Sequence, residues 1–224
     1  MAGGGETRAE GARPLLRPMS VKSARRENIE AIVVALLIAL VIRTFVVEAF
    51  KIPSGSMLPT LQIGDHLLVN KFLYGPRLEI PFTSISFGRL PGLREPRPGD
   101  VIVFAYPSDP SQNYIKRIVA VEGQTVQLVG TGLFVDGQRV DDPFATYRYG
   151  GRSQVVAYGV RSPTMVPPGH LFVLGDNRDA SSDSRAWGFV PLENVKGLAF
   201  IIYWSFAQEP GRFARWERLG RLVP

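Results

Sequence analysis

Three stretches of this 224-residue chain carry residue types that could do chemistry together. The first is Pro53-Ser54-Gly55-Ser56-Met57-Leu58-Pro59-Thr60-Leu61, which sets a serine between glycine and methionine and brackets it with prolines. A serine hydroxyl is a poor nucleophile until a base takes its proton. Cysteine is absent, and the only histidines are His66 and His170. Neither has a partner at metal-ligand spacing. His170 follows Pro167-Pro168-Gly169 at the start of a strand-like run, which speaks against a Ser-His-Asp arrangement. A lysine can serve as the base, but only as the neutral amine, and desolvation must depress its pKa. Lowering it from about 10.4 to about 8 costs roughly 3 kcal/mol. Such a lysine must sit on an apolar face. In the second stretch, Tyr114-Ile115-Lys116-Arg117, strand alternation puts Lys116 on one side with Tyr114, Ile118 and Ala120. Taken alone it reads as an edge lysine that discourages strand pairing. Beside the Ser56 segment it becomes a candidate base. The third stretch is Gly175-Asp176-Asn177-Arg178-Asp179-Ala180-Ser181-Ser182-Asp183-Ser184-Arg185, whose Asp176 and Asn177 read on their own as turn residues.

The elements that must position these residues follow from the pattern. Residues 1–27 are rich in Gly, Arg and Glu and read as a disordered tail. Residues 28–48 read as a membrane anchor. The uncharged core at 31–42 spans only about 18 Å as a helix. Extended to 29–47 it reaches about 28 Å, near the hydrocarbon thickness of about 30 Å, with Arg43 snorkelling toward the surface. The n-region is long and Val47-Glu48-Ala49 is a poor small-x-small site, so a retained anchor is favoured over a cleaved leader. Basic residues crowd its N-terminal side, which puts the tail in the cytoplasm and the rest outside.

Residues 49–208 then read as one mostly β domain. Its expected strands are 66–74, 100–106, 114–122, 124–129, 170–174 and 195–204, with a hairpin over 133–140 that turns on Asp136-Gly137. Residues 76–98 and 141–165 read as long loops or insertions, and Phe82, Phe87 and Leu90 in the first are candidates for lipid contact. Residues 209–224 read as a basic tail. The net charge of +6 sits largely in the two tails, a pattern that suits anionic headgroups better than nucleic acid. The absence of cysteine excludes disulfides, thiolate metal sites and thiol catalysis.

The three stretches resemble signature boxes of the bacterial type I signal peptidases (leader peptidases), a Ser/Lys-dyad serine protease family. Arg97-Pro98-Gly99-Asp100-Val101-Ile102-Val103-Phe104 resembles a fourth, structural box. The resemblance runs from about residue 30 to about 206, in the family's order. It implies a coiled antiparallel β-sheet catalytic domain behind a single transmembrane helix. It also implies Ser56 as nucleophile, Lys116 as general base, and an oxyanion hole formed by the Ser54 hydroxyl and the Ser56 N–H. Ser181 would orient Lys116, Asp183 would pair with Arg185, and Arg117 with Asp176. Met57 and Leu61, ordinarily core residues, would help wall a shallow substrate pocket with Ile52, Pro53, Tyr114 and Ile115, and Phe50 would border the next pocket with Ile115.

The implied activity is removal of signal peptides from exported preproteins after a small-x-small (Ala-x-Ala-like) site, without metal or cofactor. The implied partners are those signal peptides and the lipid bilayer, with the secretion translocon as a further candidate and no nucleic acid. Need for a neutral Lys116 implies activity that rises into the mildly alkaline range. Two features depart from the pattern: Gly123-Gln124 stands where an acidic residue usually follows the glycine, and only one anchor is present. The competing readings are a self-cleaving Ser/Lys protein and a non-catalytic signal-peptide receptor. The first lacks its DNA-binding domain here, and the second is disfavoured because Ser56, Lys116 and Ser181 are all retained.

Overall fold

The computed structural model describes Met1 and residues 24–75, 77–79, 86–148, 160, 162–207 and 211–224. The chain forms two compact units, Met1–Ala39 and Leu40–Pro224. Helix α1 is Ala24–Phe45. Its stretch Arg25–Phe45, with a mean hydropathy of 2.1, is long and apolar enough to cross a membrane, and none of it is buried within the protein.

The helix starts earlier and ends earlier than the span 28–48 read from the sequence. Its last turn closes where Val46 N–H donates to Ile42 C=O. The β-branched Val46-Val47 pair then favours extended backbone, and Val47 pairs with Asn70 in the first strand.

The strands, in chain order, are β1 (Val47–Lys51), β2 (Asp65–Asn70), β3 (Arg77–Glu79), β4 (Ser86–Arg89), β5 (Val101–Tyr106), β6 (Asp109–Val121), β7 (Thr125–Val129), β8 (Gly132–Val135), β9 (Gln138–Val140), β10 (Thr164–Met165), β11 (His170–Leu174), β12 (Val190–Pro191) and β13 (Val195–Ser205). Seven form one antiparallel sheet in the order β1-β2-β13-β5-β6-β11-β12, and β10-β7-β8-β9 form a second. The protein is thus mostly β and antiparallel. Every strand read from the sequence is present. The β8–β9 hairpin turns on Asp136 and Gly137 at φ 52° and 76°, the left-handed pair that a two-residue turn requires.

Within 76–98, β3 and β4 pair with each other. Phe82 lies outside the described residues, Phe87 falls within β4, and Leu90 is exposed. Of 141–165, residues 149–159 and 161 lie outside the described residues, and β10 closes the segment.

Two features place the site. Strand β6 is interior, flanked by β5 and β11, so Lys116 is not an edge lysine. In register it faces Ile102 of β5, and its neighbour Arg117 faces Leu174, the last residue of β11. The chain therefore leaves the sheet at Gly175, at the level of Lys116. One core cluster, containing Ile52, Met57, Leu61, Val103 and Ile115, packs under the Ser56 segment.

Residues 211–224 differ from the tail read over 209–224 from sequence. Arg215 and Arg218 are buried and bonded to Asp65. The run of arginines suggested a solvated tail, but Asp65 on β2 gives these two a buried counterion.

Candidate active site

The chain from Ile52 to Asp65 is a loop closed at its base: Ile52 N–H donates to Asp65 C=O at 2.8 Å, and Gly64 N–H to Ile52 C=O at 2.9 Å. Ser56 sits near its start, half-buried, with Met57 and Leu61 wholly enclosed beneath it. The segment from Gly175 grips this loop. Asn177 N–H donates to Ser56 C=O at 3.0 Å, and Asn177 Nδ2 donates to Gly55 C=O at 3.0 Å. Gly175 itself tolerates no side chain. A Cβ there would run into Ser181 Oγ and stand 2.5 Å from the Ser56 carbonyl oxygen.

Lys116 Nζ lies 2.9 Å from Ser56 Oγ and donates to Ile115 C=O at 2.9 Å. It is 4% exposed, and the Tyr114 ring lies 5.4 Å away. No carboxylate pairs with it among the described residues. Burial therefore lowers its pKa from the ordinary 10.5 to about 8, against a weaker upward pull from Asp183 and then Asp176. A hydroxyl within hydrogen-bond reach of a buried amine poised near neutrality is the geometry of an activated nucleophile and its base.

The charges around this pair are matched. Arg117 binds Asp176 through both ends of its guanidinium, at 2.9 and 2.8 Å, and donates to Gly99 C=O at 2.8 Å. The Phe144 ring covers it at 3.8 Å. Arg185 binds Asp183 in the same two-pronged way, at 2.8 Å each, and Asp183 also accepts from Gly175 N–H at 3.0 Å. The start of β5 is braced by Asp100, which accepts from Tyr74 Oη at 2.6 Å and from Arg94 at 2.7 and 2.9 Å. Burial pushes the Tyr74 hydroxyl above its usual range. Burial also works against the Asp100 carboxylate, but the bonds from Arg94 and Tyr74 outweigh it and hold its pKa low.

Ser54 is exposed, and its hydroxyl makes no hydrogen bond within the described residues. Ser181 is wholly buried with its Oγ unpartnered, and the hydrogen bond to Lys116 that the resemblance implied is not formed. Phe50, Ile52, Met57, Leu61 and Ile115 pack in one cluster, and Tyr114 belongs to the next, stacked on Tyr106 at 4.4 Å. Pro53 is exposed. Met57 and Leu61 are fully enclosed, and Ile52 and Ile115 beside them are also buried. Among the described residues, no three of His, Asp and Glu gather as a metal site.

Sequence reasoning missed two residues. Asn177 read as an ordinary turn residue but holds the Ser56 backbone. Thr60 Oγ1 donates to Asp176 Oδ2 at 2.6 Å and so links the serine loop to the carboxylate beside Arg117. Neither residue type carries a signal by itself.

Residues 25–204 match the family described as signal peptidase, peptidase S26. The chain is 39% identical over 202 residues to the signal peptidase I of Pseudomonas aeruginosa, covering 76% of this chain and 69% of that one. It is 35% identical over 225 residues to the signal peptidase I of Leptolyngbya laminosa, covering 95% and 91%. A crystal structure of a signal peptidase I from Enterococcus faecalis aligns at 29% identity with a TM-score of 0.40, over 47% of this chain and 97% of that one.

Proposed function

This chain belongs to the signal peptidase family, peptidase S26, and on that premise we propose that it cuts signal peptides with Ser56 as nucleophile and Lys116 as general base. It is a serine peptidase that removes signal peptides. The observation that carries the assignment of the dyad is the 2.9 Å contact between the Ser56 hydroxyl and an amine buried without a counterion.

Neutral Lys116 accepts the Ser56 proton as Oγ attacks the scissile carbonyl carbon. The resulting oxyanion is stabilised by the Ser56 N–H and the Ser54 hydroxyl. Lys116, now an ammonium, returns the proton to the departing amine, and an ester to Ser56 remains. Water then attacks that ester, gives a proton to Lys116, and frees Ser56 as Lys116 hands the proton back to Oγ. A neutral amine has one lone pair and two N–H groups. The lone pair faces Ser56 and Ile115 C=O takes one N–H, which leaves one for the buried, unpartnered hydroxyl of Ser181. Arg117–Asp176 and Arg185–Asp183 hold the loops in register.

The substrate binds extended, like an added strand. Phe50, Ile52, Pro53, Tyr114 and Ile115, with Met57 and Leu61 behind them, admit small side chains such as alanine at P1 and P3 and reject large ones. Helix α1 anchors the chain with its N-terminus in the cytoplasm and the β domain outside. Ser56 is nine residues past Val47, within about 30 Å of the bilayer, close enough to reach a signal peptide whose apolar region is still in the membrane.

The test is cleavage of a precursor with alanine at P1 and P3 by detergent-solubilised protein, with chelator present, using wild type, Ser56→Ala and Lys116→Ala. Wild type alone should cut, after the P1 alanine. Equal cutting by all three would place the chemistry elsewhere, and binding without cutting by all three would favour a receptor.

A further inference from the structure

Residues 214–224 run back along β13. Arg215 N–H donates to Ser205 C=O at 2.9 Å, Gly220 N–H to Ile202 C=O at 2.9 Å, and Val223 N–H to Phe200 C=O at 3.0 Å. From this segment two arginines reach the loop that carries Ser56. Arg218 binds Asp65 through Nε at 2.9 Å and Nη2 at 2.6 Å, and Nη2 also donates to Thr60 C=O at 3.0 Å. Arg215 donates to Gln62 Oε1 at 2.7 Å, Ile63 C=O at 2.6 Å and Ser205 Oγ at 2.8 Å. Ser205 in turn donates to Asp65 Oδ1 at 2.7 Å. Asp65 is wholly buried, and its backbone carbonyl closes the loop at Ile52. The arginines therefore satisfy acceptors at residues 60, 62, 63 and 65, the whole returning limb of the serine loop.

The same segment also reaches the strand of the base. Arg117, next to Lys116, donates to Pro224 C=O at 2.8 Å. Thr60, held by Arg218 through its carbonyl, holds Asp176 through its hydroxyl, and Asp176 is the partner of Arg117. Val223 packs against the cluster that contains Met57 and Leu61.

We propose that residues 214–224 are a strap that sets the placement of Ser56 against Lys116, with Arg215 and Arg218 as positioning residues for the cleavage reaction. The inference rests on the Ser56/Lys116 reading. A guanidinium is needed because its planar fork binds the Asp65 carboxylate at two points while reaching a carbonyl, and lysine, a point charge, cannot do both. Small displacements of a nucleophile are costly to rate: a shift of about 1 Å can cost about a hundredfold.

The experiment compares full-length wild type, Ser56→Ala, Arg218→Lys, Thr60→Val and the Arg218→Lys/Thr60→Val double variant in detergent. kcat and KM are measured on the precursor and normalised to the folded fraction by thermal unfolding. Arg218→Lys should lose about tenfold to a hundredfold in kcat, with KM within about threefold of wild type. The double variant should lose less than the product of the single losses, because both act through one segment. A kcat per folded molecule within about threefold of wild type, or fully multiplicative losses, would overturn the strap. If Arg218→Lys does not fold, Ser205→Ala, which leaves both ion pairs in place, takes the same measurements and the same criterion on kcat. Activity retained by Ser56→Ala would sink the dyad reading instead, whereas inactive Ser56→Ala beside fully active Arg218→Lys sinks the strap alone.

Discussion

The two sides of strand β6 at residues 116 and 117 hold buried cations in opposite ways. Lys116 is 4% exposed and Arg117 is 2% exposed. On the arginine's side the charge meets a two-pronged carboxylate, two carbonyls and an aromatic face. On the lysine's side the amine meets, among the described residues, one hydroxyl and one carbonyl, and no carboxylate. Burial with a complete set of partners makes the guanidinium a structural tie. Burial without a counterion destabilises the ammonium and favours the neutral amine that the proposed base requires. Strand alternation is what lets adjacent residues live in such different surroundings.

The largest expected effect lies on the lysine's side. Lys116→Met should lower single-turnover cleavage by about 10⁴-fold or more, because the serine loses its proton acceptor. Cleavage within tenfold of wild type would erase the contrast. Next is the arginine's side. Asp176→Ala leaves a buried guanidinium without its carboxylate and should cost about 3–5 kcal/mol in urea unfolding. A loss below about 1 kcal/mol would mean that Arg117 finds other partners.

The contrast also predicts opposite signs for stability. The folded pKa of Lys116, about 8, lies below its ordinary 10.5. Between those values the unfolded chain binds more protons, so stability rises with pH, and below 8 the penalty is fully present. Lys116→Met removes it and should stabilise the fold by about 1–2 kcal/mol at pH 7, after allowing for two lost hydrogen bonds. The gain should shrink as pH rises from 8 toward 10.5. Unchanged or lower stability at pH 7 would show that the amine is not strained by its site. The smallest effect is Ser181→Ala, which removes the hydroxyl proposed to take the spare N–H of neutral Lys116 and should slow cleavage about tenfold. No change in rate would leave Ser181 a filler beside Gly175.

Much of this was legible in the sequence. Short β-prone runs bounded by turn residues located the strands of the large sheet, as in His170-Leu171-Phe172-Val173-Leu174, whose last four residues are all buried. The pairing of Ser56 with Lys116, residues 60 apart, was legible only through the resemblance of whole motifs, since a lone lysine in a strand reads as an edge residue. The helix end was missed by a few residues because Val46 and Val47 suit membrane and strand alike. The strap was missed for an electrostatic reason. Arg215 and Arg218 sit among other arginines, and nothing local shows that Asp65, far along the chain, supplies their counterion. Asn177 and Thr60 act through backbone carbonyls and one carboxylate, contacts that depend on loop shape more than on residue pattern.

The central claim is that Lys116 works as a neutral base, and the most direct test is kcat/KM for precursor cleavage as a function of pH. A single acid limb with its midpoint near 8 is the predicted result, with activity rising as the ammonium loses its proton. A profile flat down to about pH 5, or a midpoint near the 6.5 of an ordinary histidine, would contradict it.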